Sequence, residues 1–177
     1  PSTPAASTLR LPAALTVGGL AVQGVSGLGV LAALVLPVSA AADLVLVFAT
    51  LGKLCAYLFT IFAFLTWFGR CAGPSRRSSG PLSQSKNLAV GGFFIPIYSM
   101  VGPYLVARDM WRRAEGSLTD HAYPVMIWWG LWVSRALFSS IAGDVGAGIL
   151  DLAAIVAAIV FVRGLTRMLQ RETPRAF

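Results

Sequence analysis

The sequence predicts an all-α fold: a polytopic transmembrane helix bundle of four spans, with a proline-broken re-entrant or interfacial segment between the second and third. Three observations carry this. Hydrophobic residues make up 56% of the 177, with a mean hydropathy of +0.75, more than a soluble fold of this size can hide. Charged residues are only 12%, against about 25% in ordinary soluble domains. Four apolar runs approach or exceed the ~20 residues that cross a bilayer. Residues 1–177 read as a single membrane domain without internal repeats.

The first run spans about 11–36 and carries no charge. Its five glycines, Gly18, Gly19, Gly24, Gly27 and Gly29, would weaken a helix in water but let helices approach closely in a bilayer. Pro37 ends it. Residues 1–10 lack the basic start of a signal peptide, so this run is expected to be retained, the chain beginning as it would after loss of an initiator Met. The second run, about 44–68, is interrupted by Lys53 and ends at Trp67, with Arg70 beyond it. A polar loop, 69–87, follows. Its basic residues Arg70, Arg76, Arg77 and Lys86 are unaccompanied by an acid and suit anionic lipid headgroups. The last two runs are about 125–142 and 146–165, and the tail is basic.

Residues 88–108 (LAVGGFFIPIYSMVGPYLVAR) are apolar enough to cross but contain Pro96, Pro103 and Gly91-Gly92. Charge bias argues against crossing. The turn at 37–43 has Asp43 and no base, so it is expected outside, which puts the N-terminus and loop 69–87 in the cytoplasm. If 88–108 crossed, Arg108, Arg112 and Arg113 would lie outside. If it enters and returns, the amphipathic piece 109–124 stays cytoplasmic, Asp144 marks a second outer turn, and both termini are cytoplasmic. The net charge of +7 then reflects this bias rather than nucleic-acid binding. The expected location is the bacterial cytoplasmic (inner) membrane.

The order of short motifs resembles the DUF4328 family of small bacterial integral membrane proteins. The residues are Trp67 and Arg70, the stretch Phe93-Phe94-Ile95-Pro96, Pro103-Tyr104, the Arg-Asp-Met-Trp of 108–111, and the tryptophans Trp128, Trp129 and Trp132. Gln170 follows the last run. The resemblance covers roughly 50–177. Family members often have Asn soon after the Ile-Pro, where this chain has Ser99 nearby. The family is one of unknown function, so the resemblance implies an architecture and no reaction.

Three charges lie inside apolar runs: Lys53, Arg135 and Asp151. Such charges are costly in a bilayer and face protein or water. A turn centred near 143–144 puts Arg135 and Asp151 at one depth. Asp144 precedes Asp151 by seven residues, two helical turns on nearly one face. The group reads as a structural ion pair that fixes helix register, as a contact for a partner, or as a polar pocket or proton-relay site opening outward. Trp67, Trp111, Trp128, Trp129 and Trp132 read as an interfacial aromatic belt; a planar cofactor stacked among them is the rarer alternative. Ala153/Ala157, Ala154/Ala158 and the glycines of the first run offer small-residue faces that close the bundle or dock another subunit.

Cys55 and Cys71 lie roughly 24 Å apart along one helix, too far for a disulfide. With a lone His121 and no Cys-rich motif, no metal, haem or other cofactor is expected. No nucleophile elbow, metalloprotease helix, P-loop or Cys–His dyad is present, so the chain is expected not to be an enzyme. The expected partners are the lipid bilayer, other membrane subunits and anionic lipids. The leading expectation is an accessory or scaffold subunit in a larger membrane complex. The alternatives are a small-solute or proton-coupled transport element using Lys53, Arg135 and Asp151, and a lipid- or quinone-binding module.

Overall fold

In the computed structural model, the described residues are 7–35, 39–72, 90, 91, 93, 95, 98–115, 122–138, 141 and 143–171. They form five α-helices and one 3-10 turn, with no strand among them. The helices are α1 (Ser7–Val35), α2 (Ala40–Cys71), α3 (Gly102–Glu115), α4 (Tyr123–Phe138) and α5 (Gly143–Arg171), and the 3-10 turn is Tyr98–Met100. The described residues are thus all-helical, and three helices among them are long and apolar enough to cross a membrane: Thr8–Ala33, Asp43–Cys71 and Gly143–Arg171.

Helix α1 is the hub. It packs most extensively on α2 and next on α5, while α4 packs on α5. Small residues make the α1–α2 approach close. A Cβ on Gly19 would collide with Thr60, one on Gly29 would lie 3.2 Å from Ala49, and one on Gly52 3.3 Å from Ser26. As the partner number falls, the α1 number rises, so the pair is antiparallel. The same holds for α1 and α5, where Gly24 faces Ile155, Gly27 faces Leu152 and Leu31 faces Gly148. Helices α2 and α5 therefore run parallel, held apart by α1. Arg10, Arg70, Arg163, Arg167 and Arg171 gather at one end of this bundle, and Asp43 and Asp144 at the other.

The expected span at 125–142 is a shorter helix. Its 16 residues rise about 24 Å, less than the ~30 Å hydrocarbon core. Residues 88–108 also differ from a single segment. Their latter part belongs to α3, which begins at Gly102 rather than at 109. Pro103 explains the start: at the second helical position its missing N–H leaves no intrahelical bond broken. Gly102 is required beside it, because any Cβ there would strike the Tyr98 ring. The buried residues Pro103, Val106, Ala107, Met110, Trp111 and Ala114 recur every three to four positions, so α3 is amphipathic. At α5, Gly143 takes a φ of +66°, a conformation that favours glycine, and starts the helix after the turn.

Pro12 lies within α1 and leaves the Thr8 carbonyl without its helical donor. Arg70, at the end of α2, supplies one: its Nη1 donates to Thr8 O at 2.8 Å. One residue therefore both repairs the proline defect and fixes the register of the α1–α2 hairpin. Arg70→Met is expected to lower stability by about 1 kcal/mol, typical of a charged donor at an exposed site. In a Pro12→Ala background, where residue 12 regains its N–H, the same change is expected to cost measurably less. Thermal unfolding of the four proteins in one detergent provides the cycle, and equal costs in both backgrounds would contradict the assignment.

Candidate functional site: a buried ion cluster between two cavities

The second apolar run places Lys53 on the inner strip of α2. From there its side chain passes α1 at Gly27, where an added Cβ would lie 4.0 Å from Nζ. It ends 2.5 Å from Asp151 Oδ2 on α5. Arg135 of α4 reaches the other carboxylate oxygen, with Nε 2.7 Å from Oδ1. Asp151 is buried, and the two cations are about one-third exposed. One carboxylate thus joins three helices, two of which it contacts only through long side chains. The cluster carries one surplus positive charge. Among the described buried residues Asp151 is the one charged group; the other polar ones are Thr16, Gln23, Thr60 and Thr166.

Two half-open cavities meet at the cluster. The first, about 450 Å³, is lined by Lys53, Arg135, Asp151 and Asp144, with Gly27 and Gly148 among its small residues. It lies toward the Asp43/Asp144 end of the bundle. The second, about 270 Å³, shares Arg135 and Asp151 but is otherwise mainly apolar. Its walls include Leu20, Ile61, Phe64, Trp128, Trp132 and Ile155, with Gln23 and Thr60 as further polar side chains. The Thr60 hydroxyl donates to Ala56 O at 2.6 Å, and the Gln23 amide points at the same carbonyl from 3.4 Å.

Below the second cavity sits an aromatic core. Trp128 stacks on Phe161 at 4.6 Å and 12°, and Trp129 on Trp132 at 4.9 Å and 18°. Trp67 is fully buried and donates through Nε1 to Thr166 Oγ1 at 3.0 Å. Trp111 lies across Phe161, over Gly164, where a Cβ would come within 2.8 Å of its ring. Trp129 Nε1 donates to Met100 O at 3.0 Å.

A family model described as "Domain of unknown function (DUF4328)" matches residues 31–169. The chain belongs to the DUF4328 family. No curated protein and no solved structure matches it. The match takes in the end of α1, all three charges of the cluster and the aromatic core. It starts earlier in the chain than the motifs that carry the resemblance.

In this DUF4328 chain the tryptophans of the expected interfacial belt turn inward to the bundle. Trp67, Trp111, Trp128 and Trp129 are buried and Trp132 is half-buried. The reason is the small residues opposite them, Ala158 and Gly164, which leave room for large rings inside the bundle. Ala154 and Ala158 are buried too, and so close the bundle. Phe93 packs edge-on against Phe64 and Phe68 at 5.9 and 5.5 Å, Ile95 is exposed, and Pro103 is buried. Tyr104 lies under the Arg108 guanidinium, 5.9 Å from its carbon. Asp144 is exposed and borders the first cavity without joining the ion pairs. Phe94, Pro96, Arg76, Arg77, Lys86 and His121 lie outside the described residues. Sequence reasoning passed over Gln23 and Thr60. Gln23 had a signal: it is the one amide in a run without charges.

Removing members of the cluster is expected to have unequal costs. Lys53→Met leaves the Arg135–Asp151 pair and is expected to be mild. Asp151→Leu leaves two cations facing each other and is expected to cost of order 3 kcal/mol, as for a broken buried pair. The triple change Lys53→Met, Arg135→Met, Asp151→Leu is expected to restore much of that loss. Unfolding midpoints that fall steadily from one to three substitutions would contradict this account.

Proposed function

We propose that the protein is a non-enzymatic subunit of the bacterial cytoplasmic membrane that packs against a larger membrane assembly. In this reading α4 completes a fourth span, 88–108 is a re-entrant or interfacial segment, and both termini are cytoplasmic. The clustering of basic residues at the end opposite Asp43 and Asp144 supports that orientation by the positive-inside bias. Phe93 against α2 and Met100 against α4 support an entering segment that turns back into α3.

The observation that carries the subunit reading is the outward face of α1. Gly19, Gly27 and Gly29 face inward and are used within the bundle, but Gly18 has open space where a side chain would be. Ala14 and Ala21 are exposed beside it. Such a face allows the backbone of another membrane helix to approach closely. The charged interior groups, in contrast, are engaged with one another and hold the fold.

A second reading has a separate observation behind it. Asp151 and Arg135 border both cavities, an arrangement that suits a small-solute or proton-coupled transport element.

Gly18→Leu tests the subunit reading. With nothing within reach of the new side chain, the unfolding midpoint is expected to stay within the equivalent of ~0.5 kcal/mol, as for benign surface changes. Native mass spectrometry from mild detergent is expected to show the unmodified protein in a fixed-ratio larger complex, and Gly18→Leu without it. A lone protein, or a complex unaffected by the substitution, would contradict the reading.

A further inference from the structure

Helix α5 packs on α1 and α4 and leaves one face exposed. Ile149, Val156, Val160, Arg163, Arg167 and Arg171 are all exposed, and their spacing of three, four or seven residues puts them on that one face. The stripe is apolar up to Val160 and basic from Arg163 onward. We propose that it binds an anionic glycerophospholipid, with acyl chains along the aliphatic part and the phosphate among the three arginines. The inference needs α5 to cross the membrane and does not rest on the subunit reading.

The two parts of the stripe match the two layers of such a lipid in depth. From Gly143 to Arg163, α5 rises roughly 30 Å, the thickness of the hydrocarbon core. Arg163 is the first charge after Asp151, so it stands at the edge of that core. From there to Arg171 the helix climbs about 12 Å more, through the headgroup layer. Arginine stems are long and lie along apolar surface while the charged ends seek the polar layer. Arg163 reaching up and Arg171 reaching back therefore let the guanidinium groups converge at the level of one phosphate.

Charge selects an anion. Helix α5 carries no acid between Asp151 and Arg171, and none of the three arginines has a counter-charge three or four residues away. Arg163 with Arg167, and Arg167 with Arg171, are like-charge i,i+4 pairs, which weaken a helix. A phosphate between them relieves the repulsion and accepts bidentate hydrogen bonds from planar guanidinium groups. The column is also local. Among the described residues of the other long helices, α1 has the single Arg10 at this end, and Arg70 of α2 gives its Nη1 to Thr8 O. The arginines of α3 share their helix with Asp109 and Glu115.

The test titrates the purified full chain in detergent with phosphatidylglycerol and, separately, with phosphatidylcholine of the same acyl chains, and counts bound lipid by native mass spectrometry. Phosphatidylglycerol is expected to saturate a site with at least ~25-fold tighter binding, at about fivefold per arginine engaged. Arg163→Gln with Arg167→Gln is expected to cut that preference to about fivefold, the share of Arg171. Its unfolding midpoint in detergent is expected to hold or rise, because like-charge pairs are lost. Arg76→Gln with Arg77→Gln removes the same charge from loop 69–87 and is expected to keep the preference. Equal binding of the two lipids by the unmodified protein would overturn the proposal without any variant. So would equal losses from the two double variants, the mark of diffuse charge rather than a site on α5.

Discussion

The contact on which this architecture depends is the meeting of Lys53, Arg135 and Asp151. Helices α2 and α5 run parallel with α1 between them, too far apart to interlock by ridges and grooves. They are joined instead by long reach at two levels, through Lys53 to Asp151 near one end and through Trp67 to Thr166 near the other. In a bilayer there is little hydrophobic force between helices, so such polar ties and close packing have to set their positions. Arg135 adds α4 to the same carboxylate. The cavities follow from this, because helices bridged only by side-chain tips leave space between the bridges.

The rest of the bundle alternates two devices. Where backbones meet, along α1, glycine and alanine sit at the contact, and Gly19 and Gly29 admit no larger residue without displacement. Elsewhere large rings fill the interior, as Trp128 stacked on Phe161 does between α4 and α5. Arg70 belongs to a third kind of contact. It answers a defect in a different helix, the carbonyl left open by Pro12. As a basic residue just past an apolar run it suits lipid headgroups, yet its donor goes to the backbone of α1.

Much of this was legible beforehand, for identifiable reasons. The three long helices follow from run length and composition. The common depth of Arg135 and Asp151 follows from a short turn between two antiparallel helices, and the presence of Lys53 near them follows from its distance to the outer end of its run. The direction in which tryptophans face was not legible. Interfacial tryptophan and core tryptophan share a position near helix ends, and only the small residues on the facing helix distinguish them. The start of α3 was obscured because Pro103 reads as a breaker when its place in the helix is unknown, but as a favourable start once Gly102 is seen beside Tyr98. The shorter α4 was hidden by apolar residues that continue past its last turn.

The direct test of the central claim is a distance across the cluster in a lipid bilayer. The chain has two lysines, Lys53 and Lys86, so protein with 15N-labelled lysine side chains and 13C-labelled aspartate can be examined by magic-angle-spinning NMR. Strong dipolar dephasing between a lysine Nζ and an aspartate carboxylate carbon is expected, consistent with the 2.5 Å Nζ–O contact, and it should vanish in Lys53→Arg. A Lys53 Nζ with no carboxylate carbon in range would contradict the account, because among the described residues this contact is what ties that end of α2 to α5.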